Sequence, residues 1–173
     1  MNLKKWKVVS IVFSIIAGTL LHFTYEWSGQ NRIVGAFSAV NESTWEHLKL
    51  AFFPMLFIGL IGYFLFGSEQ KNYIKGNVVG IISAILCITI FFYTYQGIIG
   101  NNFAVINILI FIISVIIGEN VAYLIMKNQK NGDENIYLAI IVVLAICFIV
   151  FTYFPPEINF FMDPMKKTFG IGD

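Results

Sequence analysis

The chain has 173 residues, 58% of them hydrophobic and 12% charged, with a formal net charge of +1. A soluble domain carries roughly 25% charged residues, so an ordinary soluble fold is excluded. The near-neutral balance argues against a nucleic-acid partner, which requires a dense basic surface.

The opening "MNLKKWKVVSIVFSIIAGTLL" has the basic and apolar regions of a signal peptide. It lacks a clear small-x-small cleavage site and its apolar run is long, so it reads as an uncleaved first span, Lys7 to Tyr25. Further apolar stretches run from Leu48 to Phe66, Asn77 to Tyr95, Phe103 to Met126 and Ile136 to Phe154. From Gly76 to Gly118 there is no Asp, Glu, Lys or Arg, room for two crossings of about 20 residues each, joined at "QGIIGNN". Hydrocarbon offers backbone groups no partners, so each stretch is expected to be a helix. The expected architecture is an all-α polytopic membrane protein, a five-helix bundle over 1–154 with a tail over 155–173. Short polar connectors, "GSEQKNYIKG" and "KNQKNGDEN", make neighbouring spans antiparallel. Cys87 and Cys147 fall in two different apolar runs without metal-like spacing and read as reduced core residues.

Lysine and arginine placement sets the orientation. Lys4, Lys5, Lys7, Lys71, Lys75, Lys127 and Lys130 fall on one side; Arg32, Lys49, Lys166 and Lys167 fall on the other. The first side is expected to be cytoplasmic, with the N-terminus in and the C-terminus outside. Most acids then collect outside: Glu26, Glu42, Glu46, Glu157, Asp163 and Asp173, together with His22 and His47.

The stretch "VNESTWEHLKLAFFP" carries the densest polar pattern. His22 and Glu26 are four apart at the end of the first span, on one helical face. The second helix is expected to start at Asn41 as N-cap, or one turn later through a Ser43–Glu46 capping box. Glu42 and Glu46 share a face, and Ser43 and His47 share the next. A hairpin brings both helix ends together, so these groups reach one volume, which a kink at Pro54 would open. Imidazole with carboxylate suits zinc, iron or manganese, and an open coordination position allows water activation. In that reading His22, His47, Glu42 and Asp163 are the ligands and Glu26 or Glu46 the general base. The bland reading needs no metal. Carboxylates in a first turn are favoured by the helix dipole, Tyr25, Trp27 and Trp45 are ordinary interface anchors, and Glu46 can pair with Lys49. The spacing also matches no established metal motif. A third reading makes the two histidines axial haem ligands.

After Pro155 and Pro156 the tail stays apolar and is expected to fold back across the outer face, bringing Asp163 towards the histidines, or else to pack on lipid headgroups. The loop from Trp27 to Val40 is equally apolar and is expected on the interface. Glu119 is the one acid within a span, about 10 Å from its cytoplasmic end at 1.5 Å per residue. An intramembrane carboxylate is a functional hypothesis by default; Ser14, Ser83 and Asn77 are its expected partners. Ala17, Gly18, Gly59 and Gly62 are small enough for close helix packing.

"LHFTYEWSG", "VNESTWEHLKLAFFPM" and "DPMKKTFGI" together resemble a family of small multi-span bacterial membrane proteins with no assigned activity. That resemblance implies a bacterial plasma membrane and supplies no catalytic residues. The ceramidase-like membrane hydrolases set several histidines with Asp and Ser around zinc; two histidines and five spans depart from that pattern. Three functions remain: a metal-binding protein acting on a lipid or envelope substrate, a small transporter or channel in which Glu119 titrates, and a non-catalytic membrane partner.

Overall fold

The computed structural model describes residues 2–128 and 134–171; Lys130, with the rest of 129–133 in the polar connector, and Asp173 lie outside the described residues. The elements in order are α1 (Leu3–Trp27), α2 (Arg32–Gly35), α3 (Thr44–Leu65), a 3-10 turn (Gly67–Glu69), α4 (Tyr73–Ile99), α5 (Ala104–Lys127) and α6 (Asn135–Tyr153). All except α2 and the 3-10 turn are long and apolar enough to cross a membrane. Among the described residues no strand forms, only an isolated bridge between Met162 and Phe169. The protein is an all-α membrane protein.

The helices overrun the apolar stretches because capping, not hydropathy, ends them. Asn2 caps α1, its side chain accepting from the Lys4 N–H, so Lys4 and Lys5 lie inside the helix. Ser43 caps α3, its hydroxyl accepting from Glu46 N–H. Gly100, at φ +75°, closes α4 in the left-handed conformation that glycine adopts without strain.

The bundle is organised around α3, which packs against α1, α4 and α6. Helices α4 and α5 form the most extensive pair, α1 closes the ring against α5, and α6 is the peripheral helix. Phe52, Met55, Ile81, Val115 and Phe148 are core residues. Large apolar side chains such as Ile16, Phe64, Leu124 and Val143 remain exposed around the bundle, a surface that only hydrocarbon would cover without penalty.

Helix α1 presents a polar inner face: Lys7, Ser10, Ser14 and Gly18 are buried. At Gly18 the approach is so close that a Cβ would collide with the Leu50 carbonyl oxygen and stand 2.6 Å from Phe111 Cζ. Pro54 is four residues beyond Leu50. Lacking an N–H, it leaves that carbonyl without its ladder donor, and α3 stays helical through it. The expected partners of Glu119 need correction. Its carboxylate pairs with Lys7, Nζ to Oε2 2.9 Å, and Asn77 joins by accepting from the same Nζ. Ser83 instead returns its hydroxyl to the Val79 carbonyl.

The tightest seam joins α4 to α5. A Cβ on Gly80 would lie 2.6 Å from the Gly118 carbonyl oxygen, and one on Gly118 2.5 Å from that of Gly80. Gly118→Ala should therefore destabilise by about 1–3 kcal/mol, the usual range for overpacking, whereas Gly97→Ala, with no atom within 4 Å of its Cβ position, should not. Thermal unfolding of the purified protein in detergent checks both.

Candidate functional site

The end of the bundle where α1 meets α3 is built by the chain between them. Helix α1 persists through Glu26 to Trp27. The return segment is pinned to it by Ser38, whose Oγ donates to the Leu21 carbonyl and accepts from Tyr25 N–H (3.0 Å) and Thr24 Oγ1 (3.0 Å). Within that segment α2 forms over Arg32–Gly35, with Asn31 as N-cap accepting from Ile33 N–H (2.9 Å); periodicity gave no sign of so short a helix.

Of the two capping expectations for α3, Asn41 as N-cap fails and the Ser43–Glu46 box is half met. Ser43 is the cap, yet Glu46 does not reach back to it; Asn41 Oδ1 accepts from Ser43 N–H instead (2.9 Å). Glu46 turns inward. Its side chain is 2% exposed, with Oε2 2.5 Å from Lys49 Nζ, itself fully buried. The same Oε2 accepts from Val40 N–H (3.0 Å), and Oε1 accepts from Thr152 Oγ1 (3.1 Å). Lys49 also donates to the Gly35 carbonyl and to Thr152 Oγ1, both at 2.8 Å. Glu46 thus spends its lone pairs on structure and stands apart from the histidines.

Asp163 is placed beside the site but faces backbone. Its Oδ1 accepts from Met165 N–H (2.7 Å) and Lys166 N–H (3.0 Å), its Oδ2 from Glu42 N–H (3.3 Å). Burial raises its pKa, and these three N–H donors outweigh that and hold the carboxyl below its ordinary value. The tail is fastened at further points. Phe160 O accepts from Trp45 N–H (3.2 Å), Thr152 O from Ile171 N–H (2.9 Å), and Gly170 O from Asn41 Nδ2 (3.0 Å). Phe161 and Phe148 pack on the Trp45 ring with centroids 4.9 and 4.4 Å away.

What the fold brings together is His22, Glu42 and His47. His47 Nε2 lies 3.5 Å from Glu42 Oε2 and His22 Nε2 4.0 Å from Glu42 Oε1; one ligand atom from each of the three lies within 4.8 Å of the others. His47 Nδ1 is 2.9 Å from the Ser43 carbonyl oxygen. A carbonyl only accepts, so Nδ1 carries the proton and, in the neutral ring, Nε2 offers a lone pair to the cluster. Such a backbone contact is how metal-ligating histidines are oriented. All three side chains are partly open, Glu42 at 48%, leaving an approach from outside. Glu26, one turn beyond His22 on α1, is exposed and near enough to act on it electrostatically. The haem reading does not fit: the two imidazole centroids are 5.3 Å apart, and Gly18 against Leu50 leaves no slot between α1 and α3 for a macrocycle.

Residues 1–171 match a family described as a family of unknown function, DUF6512. The chain belongs to the DUF6512 family. The match takes in everything from α1 to the tail residues fastened over α3, so the histidines, Glu42 and Asp163 all lie within the family's extent. No curated protein and no solved structure matches the chain.

Removing one member of the Glu46–Lys49 pair strands the other in a dry interior. Glu46→Gln should cost about 3–5 kcal/mol, while the double change Glu46→Leu, Lys49→Met should cost far less. Denaturation midpoints of the three proteins in mild detergent measure the difference.

Proposed function

We propose that this DUF6512 protein binds a divalent transition metal of the zinc class through His22, His47 and Glu42, and presents that metal to a lipid or envelope substrate. The observation that carries the reading is the mutual approach of the three side chains, with His47 Nδ1 already tied to Ser43 O. Ligand bonds near 2.0–2.2 Å put tetrahedral neighbours about 3.4 Å apart, so the side chains close on an ion by moving about 1 Å or less. Two histidines and one carboxylate are a ligand set of catalytic zinc sites, whose fourth position holds water. A bound metal supplies Lewis acidity and lowers the pKa of that water. Glu26 is the group of this chain available to take its proton. Asp163 is a positioning residue, fixing the Glu42 peptide through its N–H.

On this reading the metal end faces outward across the plasma membrane and the end bearing Lys4 and Lys5 faces the cytoplasm. Lys7 and Lys49 belong in neither tally, because each is buried in a pair. With them set aside, Lys4, Lys5, Lys71, Lys75 and Lys127 still outnumber Arg32, Lys166 and Lys167, in keeping with positive residues inside.

Elemental analysis after metal loading should find one zinc per chain. His22→Ala, His47→Ala and Glu42→Ala should each weaken binding by more than the roughly 10- to 100-fold lost on removing an outer-shell partner, and Asp163→Asn by about 10-fold. Sub-stoichiometric metal that His22→Ala leaves unchanged would end the proposal. Topology is checked by thiol labelling in intact cells: Met165→Cys should react with an impermeant maleimide, and Lys71→Cys only after permeabilisation.

A further inference from the structure

A second polar site lies at the opposite end of the bundle. Lys7 and Glu119 have side chains 6% and 3% exposed, and their ion pair is shared with Asn77 Oδ1, 2.9 Å from Lys7 Nζ. Asn77 Nδ2 donates to the Tyr73 carbonyl, and Tyr73 Oη to the Gly59 carbonyl of α3. The groups facing the pair are therefore Asn77 and Tyr73 from α4, with the Tyr63 ring of α3 against Tyr73 and the Trp6 indole of α1 beside them. Lys7 is the cation facing Glu119.

Above the pair, α1 continues its inner face with Ser10 and Ser14. Both hydroxyls are buried and have no hydrogen-bond partner, as are Trp6 Nε1 and, on α5, Ser114 Oγ. Other polar side chains within these helices behave differently. Thr19, Ser83 and Thr89 each donate to the carbonyl four residues back, the usual way a hydroxyl is satisfied in hydrocarbon. Ser10 and Ser14 leave that bond unmade and lie one and two turns from Lys7 on its own face. Buried polar atoms without protein partners, close to other polar groups, are where internal water resides.

The seam stops one turn further on. At Gly18 the Leu50 carbonyl and the Phe111 ring press against α1, leaving no passage to His22.

We propose that Lys7, Asn77 and Glu119, with Ser10 and Ser14, form an internal water and proton site reached from the N-terminal end of the bundle and closed at Gly18. Glu119 takes the proton. Its carboxylate becomes neutral, the ion pair is lost, and the Lys7 ammonium, keeping its own protons, extends along its flexible stem to the water beside Lys4 and Lys5. Deprotonation restores the pair. Because the seam is one-sided, the site binds protons without conducting them.

Infrared spectra of the protein in liposomes test this, recorded from alkaline to acid pH in H2O and D2O. Wild type should gain a protonated-carboxyl band on acidification that Glu119→Gln lacks, and that band should shift in D2O more slowly in Ser10→Val, Ser14→Val. Should Glu119→Gln fail to insert, Lys7→Gln, Glu119→Gln leaves no lone charge and serves as the reference. Identical carboxyl bands in wild type and the Glu119 variant at every pH would overturn the site. A band that shifts equally fast with the serines replaced would remove the water seam. Dye-loaded vesicles should show no proton flux above protein-free vesicles; flux abolished by Glu119→Gln would overturn the closure at Gly18.

Discussion

An ammonium withdrawn from water needs a carboxylate in contact with it and every remaining proton occupied. Lys49 meets that condition only because four segments converge on it: Glu46 from its own helix, the Gly35 carbonyl from the end of α2, and Thr152 from α6, with Val40 N–H completing Glu46. The requirement works as a clamp. Satisfying the charge draws the α1–α3 segment down onto the start of α3 and holds the end of α6 against it. The tail then docks on what the clamp has assembled, through Thr152 O, Asn41 and the Trp45 peptide.

The position of the histidine cluster follows from the clamp. With Val40 fixed by Glu46 and Ser43 fixed as N-cap, the residues between them have little freedom, and Glu42 sits in the bend just before the helix. Its N–H is taken by Asp163, so its peptide is held while its carboxylate is left to project outward. His47 starts the second turn of α3 and His22 the last turns of α1; the Gly18–Leu50 contact one turn below sets how closely those helices approach. Pro54 contributes at a distance, because it gives the Leu50 carbonyl at that contact no ladder donor.

The number and approximate limits of the membrane-crossing helices were legible because hydrocarbon imposes length and apolarity on every crossing, and the convergence of His22, Glu42 and His47 followed from the hairpin. Burial of individual charges was not. Lys7 and Lys49 look, in a one-dimensional tally, like flanking charges that report orientation; both are buried in ion pairs, and of the two pairings only Glu46 with Lys49, three residues apart, is visible in the sequence. The Lys7–Glu119 pair joins residues 112 apart in the chain, a separation on which hydropathy is silent. Glu46 was equally ambiguous, since its four-residue spacing from Glu42 suggests a shared face. The helix begins only at Thr44, so Glu42 is not on a helical face at all, and the two carboxylates point to different fates.

That divergence bears on the chemistry of the cluster. A proton shared between one imidazole and one carboxylate satisfies two atoms and leaves the third group facing acceptors. His47 Nε2, with Nδ1 committed to Ser43 O, presents a lone pair in its neutral form, as do both oxygens of Glu42. His22 approaches the same carboxylate, and its Nδ1 is buried without a partner. His47 and Glu42 are two electron-rich groups facing His22 within 4.8 Å, and a divalent cation would accept from all three at once with a coordination site to spare. Water at this partly open end can soften the mutual repulsion, but water does not account for a histidine pre-turned by a backbone carbonyl or a carboxylate whose peptide is fixed by a buried aspartate. Those two supports, more than the ligand set itself, are what the proposed metal site rests on.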